Sequence, residues 1–571
     1  MKEAGSLRWS LTVVFVLGAV VRSFDVGHPV DGSIRESWRE ADYAAVARNF
    51  DREGMDILTP RIDWRGTGSG KAEMEFPALP WFTAALYRVF GYDEVFGRLL
   101  SYAFSLLTLI VFFALARRLL PGPGGLFASA FFALAPLSVR LSNALQPEAM
   151  MLFFYIGAAL AFWRWLEEGS RRWYILALAA TAAAILSKIP AAHIGILFIL
   201  LIVHKYGWKG MFRPEIIVFG ILALLPAVLW AWHAHRFWLT EGNSLGVSNE
   251  YHWIGRDMIV HPRWMASALF RILRMETTLT AMIPGLLLLP IILWTARRDR
   301  TMRLPLYWLI AVAGYYLLTI RTTGDDWASY YHVVSVAPIA LILGLGFSRL
   351  NRRMGGERWT RAVVWIAFFL SFGLVAGRHF LQWTFPRIRI MGPAIVMVAA
   401  ALAGGAWAAE RFKSGGTNVR RPAGGLAAVI YAAGLALFLS ILPLEAFQTA
   451  RDLHPIKYEP LFQCARIFKP LIADDALILA TGGESHEETG RRTAYNASYM
   501  FFWLDRKGFN IPLDRQTLAE VEGYAGRGAR YFVLEKEALS VRPEFKEELL
   551  GQYPLLAECS AAYLFDLTRR R

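Results

Sequence analysis

The sequence predicts an all-α polytopic membrane protein of about thirteen transmembrane helices, followed by a small C-terminal α/β domain. Composition points that way first. The chain is 55% hydrophobic and only 19% charged, whereas average soluble domains carry about 25% charged residues. The apolar residues also come in blocks of about 20, the length a helix needs to cross a roughly 30 Å hydrocarbon slab. A third observation is the placement of charge. The net charge is +15, yet Lys and Arg sit in short clusters between apolar blocks, as in cytoplasmic loops facing anionic lipid, and not as a nucleic-acid surface.

The first span is expected at residues 9–24, an uncleaved anchor after a short start carrying Lys2 and Arg8. Further spans are expected near 98–116, 124–139, 148–166, 173–187, 190–204, 215–233, 279–295, 304–320, 331–348, 362–379, 390–409 and 425–444. Alternate loops carry Arg117 and Arg118; Arg164, Arg171 and Arg172; Lys205, Lys209 and Arg213; Arg297, Arg298, Arg300 and Arg303; Arg349, Arg352, Arg353, Arg358 and Arg361; Arg411, Lys413, Arg420 and Arg421. The intervening short loops are nearly bare, with Arg140, Lys188 and Arg321 standing almost alone. The positive-inside rule then puts the N-terminus in the cytoplasm, and an odd number of spans puts the tail on the opposite face.

Three outer elements are long enough to carry function: residues 25–94, residues 235–278 and the tail. The membrane domain is expected over 1–449 and the tail domain over 450–571. In the tail, residues 476–480 and 531–534 read as buried strands, and 515–525 and 543–550 as helices. Its two cysteines, Cys464 and Cys559, lack metal-ligand spacing, so no metal site is indicated. A disulfide and two free thiols are both compatible with an extracytoplasmic tail.

The first outer loop holds a decoy. Gly66-Thr-Gly-Ser-Gly-Lys71 imitates a phosphate-binding P-loop, but Arg65 stands where the first Gly belongs and Ala72 follows the Lys. It reads instead as a flexible loop beside a site. Residues 37–50, SWREADYAAVARNF, read as an amphipathic helix able to lie in the membrane interface. Trp38, Asp42, Ala45 and Asn49 fall on one stripe. A carboxylate there is either paired with Arg39 or aimed into a cavity.

Several motifs, in order, then resemble one family. They are Glu40, Asp42 and Tyr43 on the first-loop helix, Glu75-Phe-Pro-Ala-Leu-Pro-Trp81, Phe90-Gly91 and Arg98-Leu-Leu100. Asn143-Ala-Leu-Gln-Pro-Glu148, Ser187-Lys-Ile-Pro190 and Tyr330-Tyr-His332 before Pro338 follow. The set is similar to the GT-C class of glycosyltransferases, above all the dolichyl-phosphate-mannose protein mannosyltransferases and the lipid A aminoarabinose and galacturonic acid transferases. It covers residues 8–350, and the rest only in architecture. Two departures stand out. Registering on Tyr43 places Arg39-Glu40 where many relatives have Asp-Glu, while a Trp-Arg-x-Ala-Asp register makes Asp42 the acid. The second acid is Glu148 where Asp is commoner.

The resemblance implies a GT-C fold, with interfacial helices in the first outer loop, and an inverting transfer of sugar from a polyprenyl-phosphate monosaccharide at the outer face of the cytoplasmic membrane. The acceptor is a lipid, a glycan or a protein. Such chemistry needs a carboxylate to take the acceptor's proton and cations to take the leaving phosphate's charge. The implied catalytic residues are Asp42, with Glu40 in reserve, and Glu148. The implied donor-phosphate or substrate contacts are Arg39, Glu75, Lys188, Arg321, Tyr330, Tyr331 and His332. A divalent cation is compatible with the chemistry, although no ligand set is evident. Plainer readings stand beside these: snorkelling for Lys188, a helix N-terminus for Glu148, a solvated loop for Glu75, an aromatic belt for the tyrosines. The rival functions are a ligase or oligosaccharyltransferase using a diphosphate-linked glycan, and a secondary transporter. The latter predicts homologous halves and polar, interrupted spans at midplane; no internal repeat is visible.

Overall fold

In the computed structural model, residues 2–31, 37–120, 122–245, 303–324, 326–353, 460–486 and 498–571 are described, with a few isolated positions besides. The helical bundle begins with α1 (Lys2–Ser23). In the first loop follow α2 (Ser37–Glu53) and α3 (Ala78–Phe90). Then come α4 (Val95–Leu119), α5 (Pro123–Leu134), the short α6 (Pro136–Arg140), α7 (Glu148–Glu168), α8 (Arg171–Ser187), α9 (Ile194–Tyr206) and α10 (Pro214–Glu241). After a gap in the described residues stand α11 (Arg303–Leu318), the four-residue α12 (Ile320–Thr323) and α13 (Val336–Arg353). Among the described residues, five helices are long and apolar enough to cross a membrane, with shorter apolar ones at Trp9–Ser23, Pro123–Leu134 and Arg303–Leu318. The spans expected near 279–295, 362–379, 390–409 and 425–444 lie outside the described residues, position 442 apart. The span expected at 124–139 is interrupted at Ala135, where Pro136 at the start of α6 cannot continue the α5 ladder.

The bundle core is aromatic. Phe162 and Phe198 stack at 3.9 Å, and Phe112 on Phe132 at 4.2 Å. Close helix approach is set by small residues: a Cβ on Gly344 would lie 2.5 Å from the Gly124 carbonyl, so α5 and α13 pack nearly backbone to backbone. Outward, α1 exposes Val13, Val16, Leu17 and Val20, and α10 exposes Ile217, Ile221, Val228 and Leu229. Apolar faces of this extent are what a bilayer covers.

The C-terminal unit has helices α14 (Pro460–Phe468), α15 (Tyr499–Leu504), α16 (Leu518–Gly526) and α17 (Phe545–Gln552) around a five-stranded sheet ordered β2-β1-β3-β5-β4. Its strands are β1 (Leu477–Thr481), β2 (Gly508–Ile511), β3 (Ala529–Glu535), β4 (Leu555–Glu558) and β5 (Ala562–Asp566). β1 pairs in parallel with β2 and β3, while β5 runs antiparallel to both β3 and β4. Strand alternation splits its core. Leu479, Phe532, Leu534 and Phe565 pack with Val521, Phe545 and Leu549 of α16 and α17. On the other face Ile478, Ala480, Val533 and Leu564 join one cluster with Ala41, Ala45, Val46 and Phe50 of α2 and Phe501 and Leu504 of α15. The α/β unit thus shares a core with the first loop. The cysteines are joined as a Cys464–Cys559 disulfide that ties α14 to the turn between β4 and β5.

Two expectations change here. The glycine-rich 66–71 segment is not loose: Gly66 N–H donates to the Gly508 carbonyl at 2.6 Å, and Arg65 binds Glu53 at 2.7 Å. Gly66 has φ +57°, and a Cβ there would strike the Phe509 ring, so the glycine serves docking onto β2. Nor does α2 show a polar face to water. Every residue from Arg39 to Phe50 is buried, because α15 and the sheet cover the side turned away from the bundle. Within the first loop it is α3 that has a broad exposed apolar edge, through Phe82, Val89 and Phe90.

Candidate active site

Burying α2 forces its charged side chains to find partners, since an unpaired buried charge is costly. Each does. Arg48 binds Asp63 at 2.6 Å and Asp505 at 2.9 Å. Glu40 binds Arg98 of α4 at 3.1 Å, and its Oε1 accepts the Leu145 amide at 2.8 Å. Arg39 binds Glu75 at 2.6 Å, and Tyr43 donates to the same carboxylate at 3.1 Å. Glu40 therefore joins three segments and its carboxylate is occupied in doing so.

Glu75 is carried by a loop pinned to α10. Trp230 donates to the Met74 carbonyl at 2.9 Å, and His235 and Ser244 both bind Glu73. Pro77 then starts α3. Opposite stands Glu148, the first residue of α7, after a segment fixed by Asn143 Nδ2 donating to the Arg22 carbonyl at 3.1 Å and to that of Phe24. Glu148 is fully buried. Its Oε1 pairs with Lys188 and lies 3.9 Å from Arg39 Nε, while its Oε2 has no hydrogen-bond partner.

Lys188 reaches Glu148 because α8 stops at Ser187. Ile189-Pro190 cannot extend the helix; a 3₁₀ turn over Ile189–His193 follows, held by His193 Nδ1 on the Pro190 carbonyl at 2.7 Å. The lysine is only 2% exposed, so it does not snorkel. Its ammonium lies 4.2 Å from the Tyr330 ring centre and 4.5 Å from that of Tyr331, and Arg39 stacks over Tyr330 at 4.8 Å. These are cation–π distances. Both tyrosines are buried, which removes the aromatic-belt reading. Two small cavities flank the Glu148–Lys188 pair. One is lined by Arg22, Ser105, Ser138, Ser142 and Glu148, the other by Lys188, His193, Tyr315, Tyr330 and Tyr331.

Asp42 lies one turn along α2 from Arg39. Burial pushes its carboxyl up to about 7, against the opposing pull of the nearby polar side chains of Ser498 and Trp64 and of the Arg39 charge. Burial also pushes Glu75 up, but Arg39 and Lys188 outweigh it and hold Glu75 below the usual carboxylate range. Two neighbouring carboxylates are thus driven apart in acidity, the pattern that separates a proton acceptor from a charge partner.

Two implied residues stand outside this network. His332 is buried and its Nε2 is bonded to the Thr323 carbonyl at 2.7 Å, while Tyr316 and Ser335 donate to its own carbonyl. It braces the turn that presents Tyr330 and Tyr331. Arg321 sits on α12, partly exposed, and belongs to none of the ion pairs around Glu148. Sequence reasoning missed Trp64 and Ser498 altogether; neither sits in a pattern that chemistry would single out. Among the described residues, no group of three or more His, Cys, Asp and Glu could hold a metal ion.

Residues 75–232 match the family model of dolichyl-phosphate-mannose-protein mannosyltransferase. The structure is similar to that of ArnT from Cupriavidus metallidurans bound to undecaprenyl phosphate, at a TM-score of 0.53 and 16% identity over 99% of this chain and 98% of that one. This chain has the GT-C fold. The apo structure of the same ArnT superposes as well, at a TM-score of 0.54 and 16% identity, with the same coverage. An oligosaccharyltransferase from Archaeoglobus fulgidus shares the GT-C architecture more distantly, at 0.50 and 12% identity over 97% of this chain and 74% of that one. No curated protein sequence matches the chain. The mannosyltransferase-like match begins at Glu75 and takes in Glu148 and Lys188; Arg39 and Asp42 precede it.

Proposed function

We propose that this GT-C protein transfers a sugar from a polyprenyl-phosphate-linked monosaccharide to an acceptor at the outer face of the cytoplasmic membrane. The observation that carries the reading is the joining of Arg39, Glu75, Glu148 and Lys188 under two tyrosine rings, one helical turn from a carboxyl raised to about 7. In the transfer, an acceptor hydroxyl attacks the anomeric carbon while the bond from that carbon to the phosphate oxygen breaks. Asp42 takes the hydroxyl proton, a role that suits a carboxylate whose affinity for protons is near the working pH. The polyprenyl phosphate leaves with the bonding electrons, and Arg39 and Lys188 stabilise its charge. Glu75 and Glu148 hold those two cations in place. Inversion at the anomeric carbon follows from a single displacement, and rests on the resemblance.

Residues 1–449 are read as the membrane transferase and 450–571 as an extracytoplasmic domain that covers the site. Two facts support that orientation: the loop charges, and the Cys464–Cys559 disulfide, which persists outside the reducing cytosol. The test is a reconstituted transfer assay in nanodiscs with a polyprenyl-phosphate monosaccharide. The expected result is release of free polyprenyl phosphate, abolished in Lys188→Ala. No release by the wild type with a panel of monophosphate donors, but turnover of a diphosphate-linked glycan, would replace this reading with the ligase one.

A further inference from the structure

Glu148 has one oxygen on Lys188 and near Arg39, and a second, Oε2, that no described group bonds. Among the described residues, two more buried polar atoms share that condition nearby: Arg22 Nε on α1 and Ser142 Oγ in the segment before α7. All three residues line one cavity, together with Ser105 of α4 and Ser138 of α6. The space in which a water's centre fits is about 10 Å³, the room of a single molecule. Arg22 is not free to turn toward Glu148. Its Nη1 donates to the Ala133 carbonyl at 2.5 Å, and its Nη2 to Ser138 Oγ at 2.7 Å and the Phe132 carbonyl at 3.3 Å. Those carbonyls lie in the last turn of α5, whose ladder Pro136 ends, so both terminal nitrogens are taken up in capping it.

We propose that this cavity is a binding site for one ordered water, which donates to Glu148 Oε2, accepts from Arg22 Nε and bonds Ser142 Oγ, and that Ser142 is thereby a positioning residue for Glu148. The chemistry of the three atoms selects the occupant. A carboxylate oxygen repels an anion and a guanidinium N–H repels a cation, whereas a water both donates and accepts. Three partners is the number a buried water usually finds. Without it, three polar atoms would be buried unbonded in one place, which is costly. The bridge also continues a pattern in the local structure. Asn143 Nδ2 already ties the segment before α7 to the carbonyls of Arg22 and Phe24; the water ties the first residue of α7 to the side chain of Arg22. Glu148 is then held through both oxygens, and Lys188 stays where a leaving phosphate needs its charge. That last consequence rests on the transfer reading above; the water site itself does not.

The test is a cryo-electron microscopy structure of the full-length protein in nanodiscs, at a resolution that shows ordered water, with and without donor. Transfer kinetics of Ser142→Val and Ser142→Ala accompany it, with rates counted per donor-binding site so that misfolded protein drops out. The expected result is a compact peak within about 3.2 Å of all three atoms, present whether or not donor is bound. Ser142→Val fills the space and should lose the peak. Its kcat per site should fall about tenfold, the worth of one hydrogen bond to a charged group, with the acceptor KM unchanged. Ser142→Ala leaves room for the water on its other two partners and should stay within about threefold of the wild type. Arg22 Nε lying directly on Glu148, with no peak between them, would overturn the site. So would a peak that arises only with donor and is continuous with its sugar, which would make the occupant a substrate hydroxyl. A Ser142→Val that lacks the peak but keeps the wild-type rate per site would overturn the positioning role. Failure of the transfer reading is told apart from all of these, because the peak does not depend on turnover.

Discussion

At the scale of single residues, burial decides what each carboxylate can do. Asp42 is held near neutrality, so Asp42→Asn should cut turnover by about 10²- to 10⁴-fold, the usual worth of a general base. Glu40→Gln should act on stability instead, because Glu40 is bound to Arg98 and the Leu145 amide. The pH dependence has a definite sign. The acid limb of kcat/KM should fall as pH drops through about 7, where Asp42 takes up its proton. Stability runs the other way: a carboxyl raised by burial favours folding below its unfolded value, and that contribution is lost as pH rises through about 7. Asp42→Asn should therefore melt no lower than the wild type at pH 8 while losing activity, which a pH series of melting curves would check. Asp42 was legible from the Trp-Arg-x-Ala-Asp register, and Lys188 from its isolation in an outer loop. Their partners were not. That Lys188 would meet Glu148, or that Arg48 on the same helix as Asp42 would meet Asp505, depends on segments 40 residues apart in one case and hundreds in the other, brought together only by packing.

At the scale of elements, α2 is the hinge of the account, because both domains bury it. Its Arg48 holds Asp63, Asp505 and the Phe502 carbonyl together. Breaking a buried pair by removing one partner costs about 3–5 kcal/mol. Arg48→Ala should therefore loosen α15 from α2 and lower the melting temperature. Asp505→Ala should do less, since that carboxylate is partly exposed and Asp63 still pairs Arg48. The disulfide is the second element-scale device. With its cysteines 95 positions apart, its loss should cost roughly 2–5 kcal/mol. Cys464→Ser should lower the melting temperature, and reductant should do the same to the wild type but not to the variant. Sequence reasoning found β1 and β3 from their apolar runs, α16 and α17 to within a few residues, and several of the described spans from apolar length, while the stretch 124–139 divides at Pro136. It failed where burial came from another domain. The periodicity of residues 37–50 looks amphipathic because the charges needed for ion pairs mimic a wet face.

At the scale of the whole molecule, the first loop is sandwiched between the bundle and the α/β unit, with one apolar cluster running through both. Removing the tail beyond residue 450 should then uncover Ala41, Ala45 and Phe50 and release Asp42, so such a truncation should aggregate or lose its first-loop protection in hydrogen exchange. The orientation has its own check: a label at Arg571 should react with membrane-impermeant reagents applied from outside the cytoplasm. The central claim is that the carrier is a polyprenyl monophosphate bearing one sugar. Mass spectrometry of lipid that copurifies with Asp42→Asn, a variant that should bind donor but not turn it over, tests this most directly. The expected species is a polyprenyl monophosphate linked to a single hexose or pentose, absent when Lys188 is also replaced by alanine. A polyprenyl diphosphate carrying an oligosaccharide in its place would contradict the account.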